Sequence, residues 1–353
     1  MRAATWPRDE PLDERLLLVD ARTNRYDDAR VRDLARVLRA GDLVVVNDAA
    51  TIPASLEGRT ARAARVEARL VAERADGAWH AVLFGEGTWR TRTEDRPPPP
   101  ALRAGDTITF AREPSESATL RAHVVDVSPI SPRLVTLRFD ARASELWSAI
   151  YRVGRVIQYA YVAAPLELWH VQTPYAARPW AAEMPSAGRP LRASLLRALA
   201  ISGIRVATLT HAAGLSSTGD SVLDAALPLP ERFDVPTDTV DAIARARESG
   251  GRVVAVGTTV VRALEGAARL HGGALVAGEG TTDLRVDQAF VPRIVDALFT
   301  GLHEPTASHF RLLEAFAPVA LLERAYAHAE RSGYVGHEFG DSSLIVRDPA
   351  RNA

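Results

Sequence analysis

Val253-Val254-Ala255-Val256-Gly257-Thr258-Thr259-Val260-Val261-Arg262-Ala263-Leu264-Glu265 joins a buried apolar run to an amphipathic one through a glycine and two hydroxyl residues. Such a junction lets a ligand approach the backbone at Gly257 and sets Thr258 and Thr259 beside the free N–H groups of a helix start. Arg262 and Glu265, three apart on that helix, either face a ligand, fix the turn, or join Arg269 in an exposed ion-pair ladder. His211 follows the apolar run Val206–Thr210 and precedes Ala212-Ala213-Gly214. That position suits acid–base work near neutral pH, or a structural histidine with its bonds satisfied. His303, before Glu304 and Pro305, is a parallel case. Gln172 and Thr173 offer hydrogen bonds to a nucleoside or belong to a surface strand, and Asp341 after Gly340 accepts a ligand hydroxyl or closes a turn. Neither His211 nor His303 has a carboxylate or second histidine at ligand spacing, so no metal site is expected.

Composition removes several chemistries. With no cysteine among 353 residues, disulfides, thiolate nucleophiles and cysteine metal sites are excluded. All 43 basic residues are arginine, which removes Schiff-base lysines and the phosphate-binding lysine of a P-loop. At 47% apolar and 25% charged residues, the chain reads as soluble and globular, and its length suggests two domains. The formal net charge of −1 gives no global pull toward nucleic acid, so any RNA contact must come from a local arginine patch. A charged N-terminus without a long apolar stretch predicts neither signal peptide nor membrane span, hence a cytoplasmic protein.

These residues need elements to hold them. Leu16–Asp20 and Leu43–Val46 read as strands, and Val31, Leu34, Ala35 and Leu38 follow helical spacing before a capping Gly41. From near Gly58 the texture changes to short β runs: 66–71, 79–84, 107–110, 120–127 and 134–139. They are separated by Gly, Pro and charged turns, the mark of a small all-β module. Helix–strand alternation returns near Leu191. Leu195, Leu196 and Leu199 mark one helix and Val240, Ile243 and Ala244 another. Ile204–Thr210 reads as a strand, and Phe310, Leu313 and Phe316 space as one late helical face. The expected fold class is α/β: a discontinuous α/β catalytic domain (1–58 and 150–353) with an inserted β domain (59–149).

Several blocks, in order, resemble the S-adenosylmethionine:tRNA ribosyltransferase-isomerases of queuosine biosynthesis. They are Leu38–Asp48 continuing to Ile52-Pro53-Ala54, Val171–Ala176, Pro185–Gly188, Ala255–Glu265, Asp296–Pro305 and Phe339–Ile345. The resemblance implies that the inserted β domain is a barrel. It further implies that S-adenosylmethionine, as co-substrate, gives its ribosyl group to a 7-aminomethyl-7-deazaguanine base in tRNA. The product is epoxyqueuosine, with adenine and methionine released. His211, His303 and Glu265 are then the candidates for catalytic acid and base. Gly257, Thr258, Thr259, Arg262, Gln172, Thr173 and Asp341 are the candidates for binding S-adenosylmethionine. The expected partner is tRNA carrying the queuosine precursor, met by a monomer without a membrane. The chain departs from the family pattern at Ala50 and Ser55, where arginines are usual. It departs again over Glu183–Leu191, in place of Ala-Ala-Pro-Thr-Ala-Gly-Leu-His-Phe, which puts Pro190 at the histidine. Ala213–Ser217 and Gly301 also differ from the usual residues. Two alternatives follow: an S-adenosylmethionine-dependent enzyme with a different acceptor, or a non-catalytic RNA-binding descendant.

Overall fold

The strand Leu43–Asn47 lies at the centre of the molecule, and its composition explains why. Leu43, Val44, Val45 and Val46 are at most 1% exposed, and they feed two different cores by alternation. Leu43 and Val45 pack with the helices Thr237–Glu248, Thr258–Leu270 and Val319–Arg331. Val44 and Val46 pack with Leu191 and with Leu195 and Leu199 of the helix Ala193–Ile201. A strand covered on both faces needs an unbroken apolar, β-branched run, and burying each such side chain contributes about 1.5–3 kcal/mol.

In this computed structural model, which describes residues 1–112, 119–303 and 308–352, that strand sits inside a nine-stranded sheet. From one edge the strands run Gly278–Thr282, Glu231–Val235, Arg205–His211, Leu43–Asn47, Val253–Val256, Ala297–Gly301, Ser342–Val346, Arg15–Asp20 and Arg25–Arg30. The four from Arg205–His211 to Ala297–Gly301 are mutually parallel, so His211, Asn47, Val256 and Gly301 end at one edge. The strands flanking this group are antiparallel to it. The register of Leu43 with both Arg205 and Val253 ties the first fifty residues to the last hundred and fifty.

The β runs close into a six-stranded barrel in the order Leu120–Val127, Leu134–Phe139, Trp79–Phe84, Arg65–Glu73, Ser55–Thr60 and Thr107–Phe110. Five of these strands lie on the runs expected from sequence. The sixth, Ser55–Thr60, starts before the expected boundary at 59, because its Leu56 and Gly58 pair across to Ala68 and Val66. The helix Ala143–Val153 lays Leu146, Ile150 and Val153 on the same core. Where the chain enters and leaves the barrel, Ser55 and Arg155 exchange two backbone hydrogen bonds of 2.9 Å. Leu215 and Leu223, from the segment after His211, also enter the barrel core, so the barrel packs against that segment.

Three local expectations change. The segment from Val31 is a 3-10 turn followed by a single α-turn, Leu34–Val37, in place of a longer helix. His211 is the last residue of its strand rather than the first of the loop. The late helix ends at Leu313, and Phe316 packs from the following turn. Glu304 and Pro305 of the late block lie outside the described residues.

Candidate functional site at the carboxyl edge of the parallel strands

The junction after Val256 is built as its sequence suggests. Gly257 has φ +88°, a conformation that L side chains rarely adopt, and its N–H donates to Phe299 O at 2.7 Å. It turns the chain straight into the helix Thr258–Leu270, whose first N–H groups receive no side-chain cap. Asn47 ties the neighbouring strand ends together. Its Nδ2 donates to His211 O (3.0 Å) and Thr259 Oγ1 (3.3 Å), and its Oδ1 accepts from the N–H groups of His211 and Ala49.

On the face shared with Val44 and Val46, the loop 185–188 covers this edge. Ala187 Cβ would lie 3.5 Å from a Cβ at Gly257. Thr173 and Tyr175 press on Gly188 so closely that any side chain there would run into the Tyr175 hydroxyl. Thr173 is 5% exposed and its Oγ1 has no hydrogen-bond partner, nor has the buried Tyr175 hydroxyl. Buried polar atoms are normally satisfied, so two unpartnered hydroxyls beside the loop that covers Gly257 stand out. Burial pushes the Tyr175 phenol well above its usual pKa, with Asp48 adding to the effect, so it remains a donor. Asp48 follows Asn47 and is half-buried. Its Oδ1 accepts the Thr210 hydroxyl at 2.6 Å, and burial raises its pKa despite that bond.

A second cluster surrounds His211, which is fully enclosed. Its Nε2 lies 3.2 Å from Glu231 Oε2, poorly aligned for a hydrogen bond, and Arg262 Nη2 reaches the same oxygen at 2.5 Å. Glu231 Oε1 accepts from Gly214 N at 3.0 Å. Burial, with Arg262 adding to it, drives the His211 pKa well below its ordinary value, so the ring is neutral at physiological pH. Burial raises Glu231 against the pull of Arg262. Beside Glu231 a small cavity opens between the barrel (Val71, Val82) and the segment holding Gly214, Leu215, Thr218, Leu227 and Leu229.

The ten residues singled out by sequence therefore fall into separate groups. Gly257, Thr258 and Thr259 lie at the edge, Thr173 lies against Gly188 of the covering loop, His211 joins Arg262 at Glu231, and His303 follows the neighbouring strand with Nε2 3.0 Å from Thr300 Oγ1. Two strands separate those leading to His211 and His303, about 14 Å at the usual inter-strand spacing. The two rings do not share the Glu231 cavity. Gln172 spends its amide on Thr51, accepting from Thr51 N at 3.0 Å and donating to Thr51 O at 2.7 Å. Asp341 accepts from Arg8 Nη2, Arg15 N and Val335 N. The Glu265 carboxylate accepts three N–H groups, those of Arg293, Ile294 and Val295, each at 2.9 Å. These bonds tie Asp341 and Glu265 to the backbone of segments distant in sequence. Asp48, Tyr175 and Glu231 lie among these residues, and nothing local in the sequence marks them. Asp48 ends the Leu38–Asp48 block, where sequence alone gives it no role. Among the described residues no group of three or more histidines or carboxylates could hold a metal ion, and no helix is long and apolar enough to cross a membrane.

Glu183 adds a feature of its own. It accepts the Tyr159 hydroxyl and the Ser216 hydroxyl and backbone N–H. Tyr159 stacks on Tyr161, with ring centroids 6.1 Å apart and planes 12° from parallel. Tyr161 bonds Glu338, a carboxyl that burial and the charge of Glu183 push up to about 8.

A family model described as "Queuosine biosynthesis protein" matches residues 1–345. The S-adenosylmethionine:tRNA ribosyltransferase-isomerase of Gluconacetobacter diazotrophicus is 35% identical over 352 residues, 97% of this chain and 92% of the relative. The protein of the same name from Thermus thermophilus is 35% identical over 346 residues, covering 96% and 94%. The crystal structure of S-adenosylmethionine tRNA ribosyltransferase from Thermotoga maritima superposes with a TM-score of 0.52 at 24% identity, covering 98% of this chain and 96% of that one. That likeness shows a shared fold.

Proposed function

The chain belongs to the queuosine biosynthesis protein family, and from that membership we propose that it transfers the ribosyl group of S-adenosylmethionine to a 7-aminomethyl-7-deazaguanine base in tRNA. The sugar is isomerised to give epoxyqueuosine, with adenine and methionine released, and the enzyme works as a cytoplasmic monomer. The observation that supports this reading most is the uncapped helix start at Gly257, met by the Ala187–Gly188 loop beside which the Thr173 and Tyr175 hydroxyls lie unpartnered. It occurs in a chain that matches the family nearly end to end.

S-adenosylmethionine supplies the sugar, and its sulfonium acidifies the adjoining C–H bond. The chain must hold this co-substrate, take that proton and return one to the departing adenine. Gly257 admits the co-substrate against the backbone, and Thr258, Thr259 and Thr173 give it donors. His303, partly exposed and steadied by Thr300, exchanges protons with the bound molecule. His211 is sealed and neutral, and acts with Arg262 through Glu231 to position the Gly214–Ser216 loop. Glu265, with both oxygens occupied by backbone, takes no part in proton transfer.

The test is to incubate the protein with S-adenosylmethionine and tRNA bearing the 7-aminomethyl-7-deazaguanine base, and to measure adenine and methionine. Equimolar release with a matching mass change in the tRNA is expected. Binding without release would defeat the reading.

A second reading keeps the chemistry and changes the acceptor. It rests on Glu183, which stands where the family pattern has alanine and brings a carboxyl beside Glu338. Pro190 at the usual histidine, and Ala50 and Ser55 at the usual arginines, favour it too. Adenine release with an amine other than the tRNA base would establish it.

A further inference from the structure

Five of the chain's 43 arginines meet at the amino edge of the parallel strands, the edge opposite Gly257. We propose that the cavity they line binds an anion of phosphate chemistry carrying two or more charges. Successive RNA phosphodiesters and a free phosphate ester both offer that chemistry. Nothing in this site depends on the reaction at the other edge.

The topology brings these residues together. Arg39 and Arg252 precede the parallel strands Leu43–Asn47 and Val253–Val256, and Arg247 lies in the last turn of the helix Thr237–Glu248. The strands Arg15–Asp20 and Ser342–Val346 run the opposite way, so Arg22 and Arg347 emerge at the same edge. Between them lies a cavity of about 410 Å³, the size of a small-ligand site. Gly250, at φ +72°, leaves open space in its wall where a side chain would stand.

Two of the five charges are already met. Arg22 sets two guanidinium nitrogens on Asp20, and Arg252 sets two on Asp42. Three remain. Arg247 gives Nη2 to the carbonyls of Arg293 and Ile294, which accept its protons without cancelling its charge. Arg39 is exposed, and only its backbone N–H is engaged, by Asp42; its guanidinium has no hydrogen bond or ion pair among the described residues. Arg347 keeps only 13% of its side chain exposed. Its Nη2 stands 3.6 Å from Asp296 Oδ1, too far for a hydrogen bond, and its Nε is buried without a partner. Three guanidinium charges thus face one lining carboxylate, Asp296, whose Oδ2 is taken by Val253 N at 2.9 Å. Asp348 is not part of the wall and accepts Ala350 N at 3.0 Å. An excess of two positive charges, in a chain of net charge −1, calls for an anion with at least two. Phosphate oxygens fit, because planar guanidinium forks grip them in pairs and they accept the protons that Arg39 and Arg347 leave unspent. A single carboxylate supplies half the charge.

The experiment is calorimetry on the full chain, at low salt, with pyrophosphate, acetate and an unmodified RNA hairpin. Pyrophosphate should bind, with acetate at least about tenfold weaker, since a charge-assisted hydrogen bond exceeds a factor of ten. Arg39→Gln and Arg347→Gln should each weaken pyrophosphate by about tenfold or more. Arg39→Lys keeps the charge and should recover part of that loss, and added salt should weaken binding to the parent chain. Arg39 stands in solvent, so Arg39→Gln should leave the unfolding midpoint where it was, which separates recognition from damage to the fold. If the hairpin displaces pyrophosphate and loses affinity in the same variants, the ligand is the RNA backbone. If pyrophosphate binds and the hairpin does not displace it, the ligand is a free phosphate ester. No pyrophosphate binding at about 10 mM, equal binding of acetate, or undiminished binding in both glutamine variants would overturn the proposal.

Discussion

The two ends of the parallel sheet are built from the same residue types and put them to opposite use. At the amino end, Asp42 is 1% exposed and fully engaged, accepting from Arg39 N, Arg252 N and the Arg252 guanidinium at 2.6–3.1 Å. Asp296 closes the next strand by accepting Val253 N at 2.9 Å. At the carboxyl end, Asp48 has one hydroxyl donor, and Thr173 and Tyr175 have no partner. Burial works to raise both aspartates. At Asp42 the Arg252 bonds and backbone N–H groups outweigh it and hold the carboxyl below its usual range, while at Asp48 burial prevails. The difference separates an end whose aspartates are fully engaged from one that leaves buried hydroxyls unpartnered.

Four substitutions test that contrast. The largest effect is expected of Asp42→Ala, which leaves Arg252 and two backbone N–H groups without their partner. Breaking such a pair should cost about 3–5 kcal/mol in urea unfolding. A loss below about 1 kcal/mol would show that the amino end is not the stabilising one. Glu265→Ala removes the acceptor of three N–H groups beneath the strand Ala297–Gly301 and should cost about 2–3 kcal/mol. Adenine release per folded molecule should persist in this variant, and its abolition would restore Glu265 to the catalytic group. Gly188→Ala drives a methyl into the Tyr175 hydroxyl and should cost about 1–3 kcal/mol in thermal melts. Adding Tyr175→Phe should recover part of that cost, and an additive double variant would mean the two residues do not meet.

The smallest effect, and the sharpest in sign, comes from pH. Asp48 titrates above its ordinary value when folded, so the native state holds its proton longer than the unfolded chain. Its contribution therefore falls as pH rises from the usual aspartate range through the raised folded value. Asp42 is depressed, so its contribution is present above the usual aspartate range and is lost as pH falls through the lowered folded value. Asp48→Asn should flatten the first slope without lowering the midpoint of unfolding, and Asp42→Asn should remove the second while lowering it. Denaturation at pH 3–7 reads both, and slopes of the same sign would dissolve the contrast.

Much of this frame is legible in the chain. The unbroken apolar runs Leu43–Val46 and Val253–Val256 announce strands covered on both faces, and Gly257 announces the turn that ends one. The alternating runs between 66 and 139 mark the barrel strands nearly residue for residue, because one face is buried and the other wet. Partnering, by contrast, is invisible from one strand. Ser55–Thr60 carries too little alternation to be read as a barrel strand, and only its pairing with Arg65–Glu73 and Thr107–Phe110 makes it one. Glu265 looks like a helical neighbour of Arg262 until Arg293–Val295 arrive from across the fold to occupy it. Glu231 comes to His211 and Arg262 from a short strand, Glu231–Val235, whose sequence shows nothing beyond alternation. Tyr175 stands out only within the block Val171–Ala176, and nothing local says that its hydroxyl meets Gly188 without a hydrogen-bond partner.

The mutual hydrogen bonds of Ser55 and Arg155 put the entrance and exit of the barrel side by side. To the host sheet, the roughly one hundred residues between them amount to a single closed turn, and closure entropy grows only with the logarithm of what lies inside. Evolution can therefore lengthen, trim or exchange the barrel with little penalty to the host. The barrel wall that meets Leu215 and Leu223 is the surface such exchanges must preserve, and the rest of the insert is free to drift toward new partners.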